Sequence, residues 1–251
     1  MVFVPRKYFG FERSWLSKAI KTLDEDGGIF TPSRREEAQL KMGLGIWQIV
    51  SLEDWLRAMK VIEKRDKEDF YVLTELGKLF LEFDRLVEER GSWWTIHYQL
   101  ASNPEGIELY YWFFNQFPHI RFSRNELVSA LIDIKKDDFS SETIDDGVTS
   151  FLSVFRHTPL GDELMILKEV ENGVFQRFES EPKKLHPAVV AYAIVDWAKN
   201  RDRSTVNVRE FLSSDGTPGK VFGLSASSLD NYLDEIKGRY LRKVLSVRKS
   251  F

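Results

Sequence analysis

Catalytic chemistry in this chain would have to come from carboxylates, histidines or a phosphate-binding turn, because there is no cysteine. That absence excludes disulfides, thiolate zinc sites and a cysteine nucleophile. Acidic pairs occur at Asp24/Asp26, Asp137/Asp138, Asp145/Asp146 and Asp162/Glu163. Paired carboxylates can hold Mg2+ or Mn2+ for two-metal phosphodiester cleavage. Asp133-Ile134-Lys135 and Glu235-Ile236-Lys237 carry an acid, a spacer and a lysine, a pattern found in many nucleases. With 39 acids and 36 bases in the chain, such matches also arise from composition alone, so none identifies a metal site. The four histidines, His97, His119, His157 and His186, lack metal-binding spacing such as HExxH. His97 sits among tryptophans and reads as a core residue, whereas His157 and His186 read as loop or capping residues. Gly216-Thr217-Pro218-Gly219-Lys220-Val221 echoes a phosphate loop, but its spacing is short and the final hydroxyl is missing. A tight turn is expected there, with no nucleotide or organic cofactor. No GxSxG nucleophile elbow is present.

The cations point elsewhere. The net charge is only -3, yet residues 1–23 carry +4 and residues 237–251 carry +6, which leaves -13 for the middle. Basic ends on an acidic body suggest a polyanion contact confined to one or two surfaces, or else a solvated surface with a basic tail. Arg13 and Lys18 near the start, and Lys237, Arg239, Arg242 and Lys243 near the end, are the candidate phosphate contacts.

The elements that would carry such contacts follow from periodicity. Trp15, Leu16, Ala19, Ile20 and Leu23 recur at helical spacing over about 11–23. Ser33 followed by Glu36 predicts a capping box opening a second helix that ends near Gly43. A third helix is expected over about 44–59, with Ile49, Leu52, Trp55 and Leu56 inward. Val61 to Lys64, a charged turn at Arg65 to Asp69, and Phe70 to Leu73 form a β-hairpin pattern. Thr74 then caps another helix. Helix, turn, helix, hairpin, helix is the order of a winged helix-turn-helix. Its third helix would enter the major groove and its hairpin tip would approach phosphates. On that reading Trp47, Gln48, Ser51 and Arg57 are the helix contacts, and Lys64, Arg65 and Lys67 the wing contacts with double-stranded DNA. The same order also serves protein–protein modules.

Downstream, helices are expected over 92–101, 107–117, 123–134 and 142–155, the third opened by a Ser123/Glu126 capping box. Leu164–Leu167 and Val174–Phe178 flank Asn172-Gly173, a tight-turn signal. A helix after Pro187 completes a second helix–hairpin–helix order. The expected fold is therefore mainly α with small β-hairpins: a winged helix-turn-helix at 1–90, an aromatic-rich helical region with a second winged-helix-like unit at 91–204, and a helical segment with a basic tail at 205–251. The longest apolar stretch, Ala188 to Ala198, is broken by Asp196 and falls short of the roughly 20 residues of a membrane span. Met1 to Gly10 lacks the apolar region of a signal peptide. A cytoplasmic protein with no membrane partner is expected.

Four segments carry a family resemblance: Met42-Gly43-Leu44-Gly45 with Ser51 to Ala58, Trp93 to Ala101, Trp112 to Phe117, and Thr217 to Leu224. In this order they resemble the SspB-like family of DNA phosphorothioation gene clusters, once a bacterial domain of unknown function. The resemblance implies a DNA-nicking subunit that opens one strand with Mg2+ or Mn2+, and a role in anti-phage defence. It also implies partners: a cysteine desulfurase, an ATP-dependent sulfur-transfer enzyme and an ATPase. The chain departs from the family pattern at Phe9 to Arg13, which lacks a histidine, and at Ile46-Trp47, where the family favours Lys-Asn. A non-catalytic DNA-targeting subunit and a transcription regulator therefore stand beside the nickase. No catalytic residue is carried over.

Overall fold

The computed structural model describes residues 2–65, 70–177 and 185–239. The first region is built as the periodicity predicts. Helix α1, Arg13–Glu25, turns Trp15, Leu16, Ala19, Ile20 and Leu23 inward. Helix α2, Arg35–Met42, ends at Gly43, and helix α3 spans Ile46–Ala58. Strands β1, Ile62–Lys64, and β2, Tyr71–Leu73, pair antiparallel with Ile62 opposite Leu73. Helix α4, Glu75–Phe83, is capped by the Thr74 hydroxyl, which accepts from the Gly77 amide at 3.1 Å. One expectation fails. Ser33 and Glu36 form no capping box, because Pro32 starts a 3-10 turn over Pro32–Arg34 and α2 begins only at Arg35, without a side-chain cap.

The second region follows helix α5, Arg90–Ser102. It comprises α6, Glu108–Asn115; β3, Arg121–Ser123; α7, Arg124–Lys135; α8, Ser141–His157; the short α9, Pro159–Asp162; β4, Leu167–Glu171; and β5, Val174–Arg177. Ser123 and Glu126 do form their capping box. The Asn172-Gly173 turn also forms, with Gly173 at a φ of 72°, a left-handed conformation that favours glycine. The hairpin begins later than expected, at Leu167 rather than Leu164. It also gains a strand that the sequence does not announce: β3 pairs with β5, so the antiparallel order is β3-β5-β4. Helices α10, Pro187–Asn200; α11, Val208–Ser213; α12, Pro218–Val221; and α13, Ala226–Arg239, complete the described chain.

The buried apolar side chains form one cluster that runs from Phe3 to Ile236. Its centre is aromatic. Trp55, Trp93, Tyr98, Tyr110, Phe113 and Phe151 are all almost fully buried. Phe113 meets Phe114, Phe117, Phe122 and Phe151 at centroid distances of 4.9 to 5.4 Å. Such pairs add about 1 kcal/mol each beyond the area they bury. No helix among the described residues is long and apolar enough to cross a membrane.

The N-terminal residues cross between the two regions as a strap. The Val2 amide donates to Gly106 O at 3.1 Å, and Val2 O accepts from Glu108 N at 2.9 Å. Phe3 stacks on Phe139 at 4.7 Å. Val4 crosses α8 at Gly147, where a Cβ would lie 2.5 Å from Val4 Cγ1, so only glycine lets the strap lie this close. Residues Arg6–Tyr8 then form a 3-10 turn against α3.

Candidate nucleic-acid interface

The strap decides what α3 can offer. Arg6 is clamped onto two neighbouring acids of that helix. Its backbone N and its Nε both donate to Asp54, at 2.7 Å and 2.9–3.0 Å. Its NH2 reaches Glu53 and Asp54 at 2.9 Å each. Both acids are buried. The hydrogen bonds to Asp54 raise the Arg6 pKa above its ordinary value, so the guanidinium stays charged. Glu53 Oε1 also accepts from the Tyr71 hydroxyl at 2.6 Å. Burial, then this bond, push the Tyr71 pKa upward, so the phenol keeps its proton.

Past Arg6 the backbone is strained. Lys7 and Tyr8 adopt φ of 67° and 57°, unusual for residues with a Cβ and costing on the order of 1–2 kcal/mol each. The turn is held from both sides: by Arg6 on Asp54, and by the Phe9 carbonyl, which accepts from Ser51 Oγ at 2.6 Å and Trp55 Nε1 at 2.9 Å. The outcome is a fixed presentation of side chains. Lys7 Nζ lies 4.2 Å from the Trp47 ring centroid, a cation–π contact. Trp47 is still 53% exposed, and Tyr8 and Phe9 are each 39% exposed.

The sequence-predicted contacts divide accordingly. Trp47 is on the surface at the first turn of α3. Gln48 is half-buried and caps its own helix, with Oε1 accepting from the Gly45 amide at 2.7 Å. Ser51 is fully buried, and its hydroxyl is engaged by Phe9, so it is not presented to an outside ligand. Lys18 is exposed on α1 beside Gly43, at the turn that leads to Trp47. Arg13 is exposed and 3.6 Å from Glu88. Lys7, Lys18 and Lys21 make no ion pair among the described residues. Arg57, Lys60 and Lys64 instead line a separate cleft of about 410 Å3 with Asp54, Glu63 and Glu105. The Arg65 amide donates to Phe70 O at 2.8 Å. Lys67, Arg242 and Lys243 lie outside the described residues. Lys237 and Arg239 end α13, which packs on α10, and Arg239 pairs with Glu235 at 2.8 Å.

Sequence reasoning missed the strap. Arg6, Lys7, Tyr8 and Phe9 had no periodicity to mark them, and Glu53-Asp54 look like surface acids. One signal was available: both acids fall within the run Ile49 to Leu56, otherwise apolar apart from Ser51, where an unpaired carboxylate would be costly.

The remaining chemistry is quiet. His97 is fully enclosed. Its Nε2 faces Val221 O at 3.2 Å and so donates, while Nδ1 accepts from the Tyr110 hydroxyl at 3.0 Å. Burial lowers its pKa to about 4, so it is a neutral core residue. His186 caps α10, its ring nitrogen accepting from the Ala188 amide. Lys220 in the Gly/Pro turn pairs with Asp215 at 2.6 Å. Of the acidic pairs, Asp26 is held by Arg34, which lowers its pKa to about 2, and Asp145 by Arg124 at 2.7 Å. Among the described residues no three His, Asp or Glu side chains converge for a metal ion.

Comparison with known proteins adds a fold relationship. A crystal structure of SspB superposes with a TM-score of 0.81 at 19% identity, covering 99% of this chain and 81% of the other. A magnesium-ion-bound SspB crystal structure gives 0.78 at 19% identity, covering 95% and 78%. No curated protein matches. A family of proteins of unknown function, DUF4007, matches residues 6–250, and over that nearly complete span the chain belongs to it.

Proposed function

We propose that this chain is a DNA-binding component of a phosphorothioate modification system of the anti-phage type, and that it is the strand-nicking subunit. The observation that carries DNA binding is the surface made by the strap and α3: Trp47 exposed beneath Lys7, with Lys18 and Lys21 on the adjoining helix without ion-pair partners among the described residues. Cations of this kind bind phosphates regardless of sequence and supply most non-specific affinity. We read α1–α4 with β1–β2 as one winged-helix module. The order α6, β3, α7, α8, β4, β5, with sheet order β3-β5-β4, is read as a second. Recognition by α3 through Ser51 does not belong to this reading, because that residue is enclosed by the strap.

Nicking is supported by the fold shared with a magnesium-ion-bound SspB. A specific observation favours a second reading, a non-catalytic subunit that positions partner enzymes. Asp54 and Glu53 are both engaged by Arg6, and among the described residues no three His, Asp or Glu side chains converge, so in this conformation they do not fit a divalent ion and no step is routed through one. The expected partners are double-stranded DNA, a cysteine desulfurase, an ATP-dependent sulfur-transfer enzyme and an ATPase.

A plasmid assay separates the readings. Purified protein, supercoiled DNA and Mg2+ or Mn2+ are incubated with and without EDTA, beside a gel shift. Open circles that EDTA prevents support nicking. Retarded but intact plasmid supports the positioning subunit. If neither appears, the DNA reading fails. Reversing Lys64, Arg65 and Lys67 to glutamate tests the wing: affinity should fall, and the salt slope should flatten by about one for each phosphate no longer neutralised.

A further inference from the structure

We infer that the surface made by Trp47, Lys7 and Tyr8 is a stacking site for an unpaired base of single-stranded DNA. This rests on the DNA-binding reading above and says which form of DNA this surface takes.

Trp47 is a large apolar ring on the outside of a protein whose other aromatic side chains dominate its core. It stands at the first turn of α3, with the Lys7 ammonium over its ring. The arrangement that puts Lys7 there is costly. Two consecutive residues with side chains take left-handed backbone angles, and three side chains of α3 are engaged in fixing them: Asp54 on Arg6, and Ser51 and Trp55 on the Phe9 carbonyl. Strain over-determined by its surroundings holds Lys7, Tyr8 and Phe9 in one position before any ligand arrives. A ligand that meets them has less ordering entropy to lose.

The ligand chemistry follows from the groups presented. A fixed, exposed indole offers a face for stacking, and base–aromatic stacking tolerates any base. In a duplex the base faces are already stacked on each other and only edges are accessible. An unpaired base has its face free. Lys7 over the ring and Lys18 beside the adjoining turn supply charge for the flanking phosphates, on a segment that carries +4 within 23 residues. The local charge therefore complements a nucleotide strand, unlike the acidic middle of the chain.

The test compares two fluorescently labelled 12-nucleotide single strands, one ordinary and one with abasic sites at its central positions. Anisotropy titrations use the full chain, W47A and W47F, with the matching duplex as a third probe. The phosphates are the same in both single strands, so any difference reports the bases. The wild type should bind the ordinary strand about tenfold more tightly than the abasic one. W47A should abolish that difference and cost the ordinary single strand more affinity than the duplex, and W47F should retain most of it. Because Trp47 is half exposed, W47A should melt within a degree or two of wild type by circular dichroism. Equal wild-type affinity for the two single strands, with duplex still bound, overturns the stacking site and leaves the DNA reading standing. So does an equal loss in W47A for all three probes. No binding to any probe overturns both.

Discussion

The region of α1–α4 and the region of α6–β5 are assembled from similar parts, helices closed by a small antiparallel hairpin, yet they use their charges in opposite ways. In the second region most of the cations are matched, the exposed Lys136 being an exception among the described residues. Arg121 pairs with Glu171, Arg156 with Glu169 at 2.8 Å, and Arg124 with Asp145 at 2.7 Å. Its helix α8 is packed against α6, α7 and the strap, and its first turns carry Glu142, Asp145 and Asp146. In the first region Lys7, Lys18 and Lys21 are left without ion-pair partners among the described residues, and an aromatic ring is set among them. On the proposed DNA-binding reading, similar frames serve as a scaffold or as a binding face depending on how far neighbouring carboxylates match the cations. The strap makes the difference larger, because it commits Arg6 to two buried acids and leaves Lys7 without one.

The scaffold role of the second region is best broken at Phe113. This ring is fully buried among four other phenylalanines. Phe113→Ala should cost roughly 3–5 kcal/mol in urea unfolding, by lost transfer energy plus the cavity left behind. DNA affinity of the folded fraction should stay at the wild-type value. A loss of affinity at full folding would mean that the second region contributes to the binding face directly.

Acid should reach the aromatic core next. Unfolded, the His97 imidazole titrates near 6.5, and burial holds it at about 4 in the native state. Between those values the unfolded chain binds more protons. Stability from this residue is thus fully present above about pH 6.5 and falls as pH drops toward 4, by up to roughly 3 kcal/mol. Asp26, lowered to about 2 by Arg34, contributes stability that is fully present above its ordinary value near 3.8 and is lost only as pH falls toward 2, so the two windows do not overlap. Unfolding free energies measured from pH 7.5 to 4.5 in wild type and His97→Gln would separate the two. An unchanged pH slope in the variant would remove His97 as the cause.

Arg6→Ala should cost somewhat less, roughly 1–3 kcal/mol, because Asp54 would be left buried without its partner while water enters beside it. It should also release the strained turn, so DNA affinity should fall although Arg6 itself is ion-paired. If stability drops and affinity does not, the strap is structural only, and the two regions differ less than their charges suggest.

How much of this was legible depended on range. Most features that rest on neighbours in sequence came through, the Ser33/Glu36 box excepted: the Thr74 cap, the Ser123/Glu126 box, the Asn172-Gly173 turn and the inward face of α1. Features that rest on distant partners did not. Strand β3 is three residues long and exists because β5, about fifty residues later, offers an edge. Ser51 has the composition of a base-reading residue, yet its partner is the carbonyl of Phe9, 42 positions away. Trp47 was legible as a surface contact because it falls off the helix face that Ile49, Leu52 and Leu56 turn inward. Lys7 was not, since its position depends on a backbone conformation that no local propensity favours.

The smallest expected effect tests the scaffold's charges. Arg121 and Glu171 are both more than half exposed, so their ion pair is screened by water and constrained by little else. A double-mutant cycle with Arg121→Ser and Glu171→Ser should give a coupling below about 0.5 kcal/mol. Glu171→Ser alone should leave Arg121 unmatched and add one free cation to the second region. If pairing is what silences that region, this single variant should gain weak, salt-sensitive DNA affinity there, visible as a slightly steeper salt slope. A slope identical to wild type would show that neutralisation is not the operative difference. The contrast between the regions would then lie in the strap and Trp47 alone.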